Sequence, residues 1–96
     1  MQLASLALTK LGGLPCCEDA HEDWLAKFQG YLSEIEKPVS NEEAVELAKL
    51  LGPDDCFGMA WGLIHAIETA PGWPLEEAIS EANEAWKDIL RDRCKG

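Results

Sequence analysis

The chain has 96 residues, 47% of them hydrophobic and 27% charged, and its 18 Asp and Glu against 8 Lys and Arg give a net charge of -10. That length suits one domain spanning residues 1–96, able to bury roughly 60 to 65% of its unfolded surface, and the composition argues against disorder. A field of that sign repels phosphate backbones and anionic lipid, which excludes direct nucleic-acid binding, and it attracts basic proteins.

The apolar spacing is helical from end to end, without an internal repeat, a low-complexity segment or an alternating run of strand length. It predicts an all-α fold, a single compact bundle of about five helices over residues 2–11, 19–36, 41–51, 54–70 and 75–93. In the first, Leu3, Ala7 and Leu11 recur at steps of four with Leu6 alongside, and Gly12 and Gly13 end the segment. It has no basic n-region, and Thr9 and Lys10 interrupt its apolar run, so it reads as an ordinary helix and not as an export signal. No stretch approaches the roughly 18 apolar residues of a membrane span. A soluble cytoplasmic protein is expected, with Cys16, Cys17, Cys56 and Cys94 as reduced thiols whose spacing lacks a zinc framework.

The second helix sets Trp24, Leu25, Phe28, Leu32 and Ile35 on one face, with Pro38 beyond its end. Glu18, Asp19, Glu22 and Asp23 crowd its start, where the helix macrodipole favours negative charge; a dedicated partner site is the alternative reading. Ser40 and Glu43 form a capping box for the third helix, with Val39 and Ala44 as a hydrophobic staple and Ala44, Leu47, Ala48 and Leu51 as its buried side. Gly52 is expected to close it in a left-handed conformation ahead of Pro53. Asp54 or Asp55 is expected to cap the fourth. Trp73, between Gly72 and Pro74, is expected to cover the end of that helix. In the fifth, Leu75, Ala78, Ile79, Ala82, Trp86, Ile89 and Leu90 share a face. Acidic Glu76 and Glu77 at its start and basic Arg91, Arg93 and Lys95 near its end suit the macrodipole.

The fourth helix draws the functional reading. With Gly58 at zero and about 100° per residue, Phe57, Met59, Ala60, Leu63, Ile64 and Ile67 fill a broad core-facing arc. Trp61, His65, Glu68, Thr69, Gly58 and Gly62 occupy the other, with Asp54 and Asp55 near its start. A glycine costs a helix interior roughly 1 kcal/mol relative to alanine, so something must offset two of them. Either Gly58, Gly62, Ala66 and Ala70 form a small-residue ridge that another helix crosses closely, or the missing side chains leave a trough walled by Trp61 and equipped with His65, Glu68 and Thr69. His65 is more simply explained by a hydrogen bond to a backbone carbonyl or to Glu68 than by catalysis. Cys56 and His65, nine residues apart, fall on opposite sides of the helix, which opposes a nucleophilic dyad.

No catalytic residue, metal-ligand set or cofactor motif emerges, and an enzyme is not expected. The favoured function is a small acidic cytoplasmic module that binds a basic protein partner, such as an immunity-type inhibitor of a nuclease toxin. The candidate binding residues are Trp61, His65, Glu68, Thr69, Gly58, Gly62, Asp54 and Asp55. The alternatives are a small-molecule or metal site at His65, Glu68 and Trp61, and a structural module that forms a homo-oligomer through the glycine ridge.

Overall fold

Two adjoining residues of the sequence, Val39 and Ser40, decide where the chain turns. Val39 is buried, and the Ser40 side chain accepts a hydrogen bond from the Glu43 N–H at 3.0 Å while Glu43 Oε1 accepts one from the Ser40 N–H at 3.1 Å. This reciprocal cap starts helix α3, Asn41–Ala48, as the sequence predicts. The computed structural model describes residues 2–19, 21–52 and 58–95, the side chains of Cys17, Cys94 and Lys95 excepted. Around α3 stand α1 (Leu3–Leu11), α2 (Glu22–Glu34), α4 (Met59–Ile67), α5 (Glu76–Glu81) and α6 (Glu84–Lys95), with a 3-10 turn at Cys17–Asp19. The fold is all-α among the described residues, and α3 packs against α1, α4 and α5.

One core takes side chains from all six helices, among them Leu8, Phe28, Leu47, Leu63, Ile64, Ile79, Trp86 and Leu90. The radius of gyration of 12.3 Å equals the ~12.5 Å expected of a compact chain of this length. On α2 and α3 the predicted faces are the buried ones, whereas α1 buries Ala4, Ser5 and Leu8 and leaves Leu3 and Leu6 of its predicted face exposed. Phe28 and Ile35 are buried, with Trp24, Leu25 and Leu32 packed beside them; Ala44, Leu47, Ala48 and Leu51 are buried together. Trp73 also packs on the core edge.

Several boundaries differ from expectation, among them those of the fourth helix, which runs Met59–Ile67 and not 54–70. The fifth predicted helix is two helices, because Ala82 turns to an extended conformation (φ -71°, ψ 156°) and Asn83 Oδ1 then accepts the Ala85 N–H at 2.9 Å. Asparagine is among the strongest N-caps, and here it restarts the chain as α6. Its apolar face survives the break except at Ile89, which is exposed. The second helix begins later than residue 19 because the 3-10 turn precedes it and His21 is extended at its N-cap. The third ends at Ala48, where Leu50 N–H to Leu47 O and Leu51 N–H to Ala48 O tighten the last turn.

Gly52 is not left-handed, which corrects its expected role as a C-terminal cap. What it provides is close approach, since a Cβ at that position would run into the Leu14 carbonyl oxygen. The Leu14 N–H donates to Leu50 O at 2.8 Å, and the Trp86 Nε1–H donates to Gly52 O at 3.0 Å. A bare backbone is therefore gripped between the end of α1's loop and an indole of α6.

Glu43 does more than cap. Only 6% exposed, it accepts on Oε2 the Ser5 Oγ–H at 2.8 Å and the Gln2 N–H at 3.3 Å, so one carboxylate ties α1 to α3. The Gln2 side chain goes on to pair with Glu36, its Nε2 donating to Glu36 O at 3.1 Å and its Oε1 accepting the Glu36 N–H at 2.8 Å. Burial on its own would raise the Glu43 pKa, but the hydrogen bonds from Ser40, Ser5 and Gln2 outweigh it and hold the carboxyl below its ordinary 4.5. A depressed folded-state pKa contributes stability that is complete above 4.5 and is lost as the pH falls through the folded value. Glu43→Ala removes a cap and strands the buried Ser5 hydroxyl, and we expect a loss of about 2 to 4 kcal/mol in urea unfolding at neutral pH. Glu43→Gln should lose less and should show a flatter acid limb; an unchanged acid limb in that variant would place the pH dependence elsewhere.

Candidate functional site

The α4 residues nominated from the sequence separate into three environments. Gly58 is the N-cap of α4, with φ 86° and ψ -3°, and it is exposed. Only glycine enters that left-handed region without strain, so the residue begins the helix and does not weaken its interior, contrary to the expectation. Its propensity cost needs no ligand or crossing helix to offset it. Asp54, Asp55 and Cys56 lie outside the described residues, as does the expected start of this helix at residue 54.

Gly62 is inside the helix, and α2 crosses over it. A Cβ built there would lie 2.7 Å from Leu32 Cδ2, and Ala66 and Ala70, further along the same ridge, are buried. Leu32 thus fills the space above Gly62, which is the close-crossing reading of the small-residue ridge. Thr69 faces the turn before α3: its Oγ1–H donates to Ala66 O at 2.6 Å, and the same oxygen accepts the Val39 N–H at 3.0 Å. That hydroxyl fastens the 36–40 turn to α4 at the point where the capping box begins.

Trp61 and Glu68 do come together, joined by a residue the helical wheel could not supply. Arg93, from α6, donates to Glu68 Oε1 through Nε at 2.9 Å and Nη2 at 2.6 Å, and its guanidinium carbon lies 5.8 Å from the centre of the Trp61 ring. The indole of Trp86 meets Trp61 edge-on at 5.2 Å and 88°, near the T-shaped geometry that aromatic quadrupoles favour. A cation, a carboxylate and two indoles therefore form a closed set between α4 and α6. The ion pair is partly exposed, so solvent screening leaves it worth less than about 1 kcal/mol.

His65 stands apart from that set. It is exposed in the last turn of α4, where the macrodipole favours a cation, and among the described residues no hydrogen bond or ion pair joins it to Glu68. The Glu68 carboxylate turns to Arg93 instead. His21, the N-cap of α2, lines a hollow with Leu11, Pro15 and Trp24. Among the described residues no group of three or more His, Cys, Asp and Glu side chains converges as a metal would require.

The hollow at His21 continues along the groove between α1 and α2. Leu3, Leu6, Ala7, Leu11 and Tyr31 line a depression of about 520 Å³, with Lys10 and Glu34 on its rim. It was not nominated from the sequence. The visible signal was a first helix whose Leu3 and Leu6 lie on one side and Leu8 on another, more apolar surface than one packing face can cover.

Compared with known proteins, the chain matches no family model, no curated protein and no solved structure.

The Leu32 contact makes a coupled prediction. Gly62→Leu should cost about 1 to 3 kcal/mol, because the larger side chain drives α2 from α4. In a Leu32→Ala background the same change should cost less, by more than the about 0.5 kcal/mol within which independent sites add. Denaturant unfolding of the four proteins completes the cycle, and additive costs would mean that Leu32 does not occupy that space.

Proposed function

We propose that this chain is a small acidic module that binds and masks a basic protein partner in the cytoplasm, in the manner of an immunity protein held against a nuclease toxin. The observation that carries the reading is how the charge is distributed on the folded surface. Among the described residues four ion pairs, Lys49–Glu46, Lys87–Glu84, Arg91–Glu76 and Arg93–Glu68, engage basic side chains internally. Exposed carboxylates outnumber the cations that remain: Glu18, Asp19, Glu22 and Asp23 crowd the start of α2, Glu34 and Glu36 its end, and Glu77 and Glu81 line α5. A protein surface of this kind presents carboxylates where a nucleic acid presents phosphates, and it draws a cationic partner in from a distance.

The closed Arg93, Trp61 and Glu68 set supports a change of emphasis within that reading. Trp61 already has a guanidinium on its ring, so the acidic exterior is a better docking element than the α4 indole. Affinity capture from the cells that produce the protein should recover a basic protein in stoichiometric amount, and the association rate should fall steeply as ionic strength rises from low to physiological, where the Debye length shortens to about 8 Å. Recovery of a neutral or acidic partner, or an association rate indifferent to salt, would falsify the reading.

A further inference from the structure

We infer that the trough between α1 and α2 is the docking site for an amphipathic helix of that basic partner, an inference that rests on the basic-partner reading and gives it a place. Gln2 of α1's N-terminus bonds to Glu36 just past α2, and Leu11 at α1's other end shares a hollow with Trp24 near α2's start. The two helices therefore run antiparallel, and the groove follows their length. Three hollows succeed one another along it. About 290 Å³ lies beside Gln2, Leu3 and Glu36, about 520 Å³ in the middle over Leu6, Ala7 and Tyr31, and about 230 Å³ at Pro15, His21 and Trp24. Leu3 and Ala4 are common to the first two and Leu11 to the last two.

The floor is apolar and uncovered. Leu3 is 83% exposed and Leu6 39%, and these are two of the three exposed large hydrophobic residues among those described. Isolated apolar residues on a surface need no explanation, but Leu3 and Leu6 line one hollow together, and contiguous apolar surface marks interaction sites. Nine helical residues in α1 make the groove about 14 Å long. That is the span of two to three turns of a bound helix, whose apolar side chains at positions i, i+4 and i+7 would enter it.

Charge selects the occupant. Among the lining residues Glu34 and Glu36 stand at one end and Asp19 at the other, with Lys10 the one Lys or Arg; Glu18, Glu22 and Asp23 add exposed charge at the start of α2, against the exposed Lys37 beside Glu36. A helix with Lys or Arg toward both ends and an uncharged middle turn matches that order. A second copy of this chain matches it poorly, since each copy would bring a net charge of -10 to the same contact.

The test uses a synthetic amphipathic helical peptide of Leu, Ala and Lys, cationic at both ends, and a scrambled peptide of identical composition, titrated into the full chain by calorimetry and by amide chemical-shift mapping. The patterned peptide should bind one to one, at least about tenfold more tightly than the scrambled one, with the largest shifts in α1 and α2. Leu3→Glu and the double variant Leu3→Glu, Leu6→Glu should each abolish that preference. Added negative charge alone would strengthen attraction to a cationic peptide, so the loss reads the apolar contact. Leu3 is almost wholly exposed, so its single substitution keeps the test valid if circular dichroism shows the double variant unfolded.

Equal binding of both peptides, or shifts confined to α4 and α6, overturns the trough as the site while leaving the basic-partner reading standing. Absence of binding by either peptide overturns the trough for this occupant, and cellular capture decides the broader reading separately. A dimer in sedimentation that Leu3→Glu dissociates overturns it in favour of a second copy.

Discussion

The two oxygens of the Glu43 carboxylate hold the architecture in register. Oε1 belongs to the start of α3 and Oε2 to the start of α1, through Ser40 on one side and Ser5 and Gln2 on the other. Because Gln2 also grips the Glu36 backbone, the end of α2 is fixed to the same point. Three helix termini thus meet at one buried anion, and three neighbouring donors compensate its desolvation. A carboxylate at that depth without them would be a liability of several kcal/mol. The antiparallel course of α1 along α2, and with it the trough between them, follows from where this group pins their ends.

What could be read from the sequence was whatever local chemistry dictates. Ser40 and Glu43 at their three-residue spacing announce a capping box, and the buried sides of α2 and α3 follow from apolar periodicity. The same spacing says nothing of Oε2, whose partners come from residues 38 and 41 positions away in the chain. Asn83 was legible in principle as a cap, but an uninterrupted apolar stripe through Ala82 and Trp86 masks a break that preserves the face. Gly52 shows the complementary failure. Its place before a proline suggests a left-handed cap, yet the residue is glycine because Leu14 passes against it, a contact set by tertiary packing alone.

The candidate site divides along the same line. The helical wheel correctly groups Trp61 with Glu68, since that grouping depends only on the turn angle. It misplaces Gly58, because the wheel assumes that the helix is already under way where the backbone is in fact left-handed. It also cannot supply Arg93, 25 residues beyond Glu68, whose guanidinium closes the set. Nor can it foresee Leu32 above Gly62, so a trough drawn on α4 alone becomes a helix crossing once α2 is present. The groove that does stay open lies between two other helices, where neither helix seen singly suggests a concavity.

Glu43 apart, charge and stability are largely decoupled in this chain, and that separation gives the surface its freedom. The core is almost wholly apolar and shared by the six described helices, while the ion pairs sit at the periphery, where solvent screens them. Unpaired carboxylates repel one another and weaken the compact state slightly. A cationic partner relieves that repulsion in the folded form, where the carboxylates are gathered at the two ends of α2, more than in the unfolded chain, where they are dispersed. Binding and folding are then linked by mass action: whatever neutralises the folded surface also stabilises it, in proportion to the logarithm of partner concentration over its dissociation constant. The excess acid that contributes nothing to the interior is on this view the part of the sequence most responsive to what the protein meets.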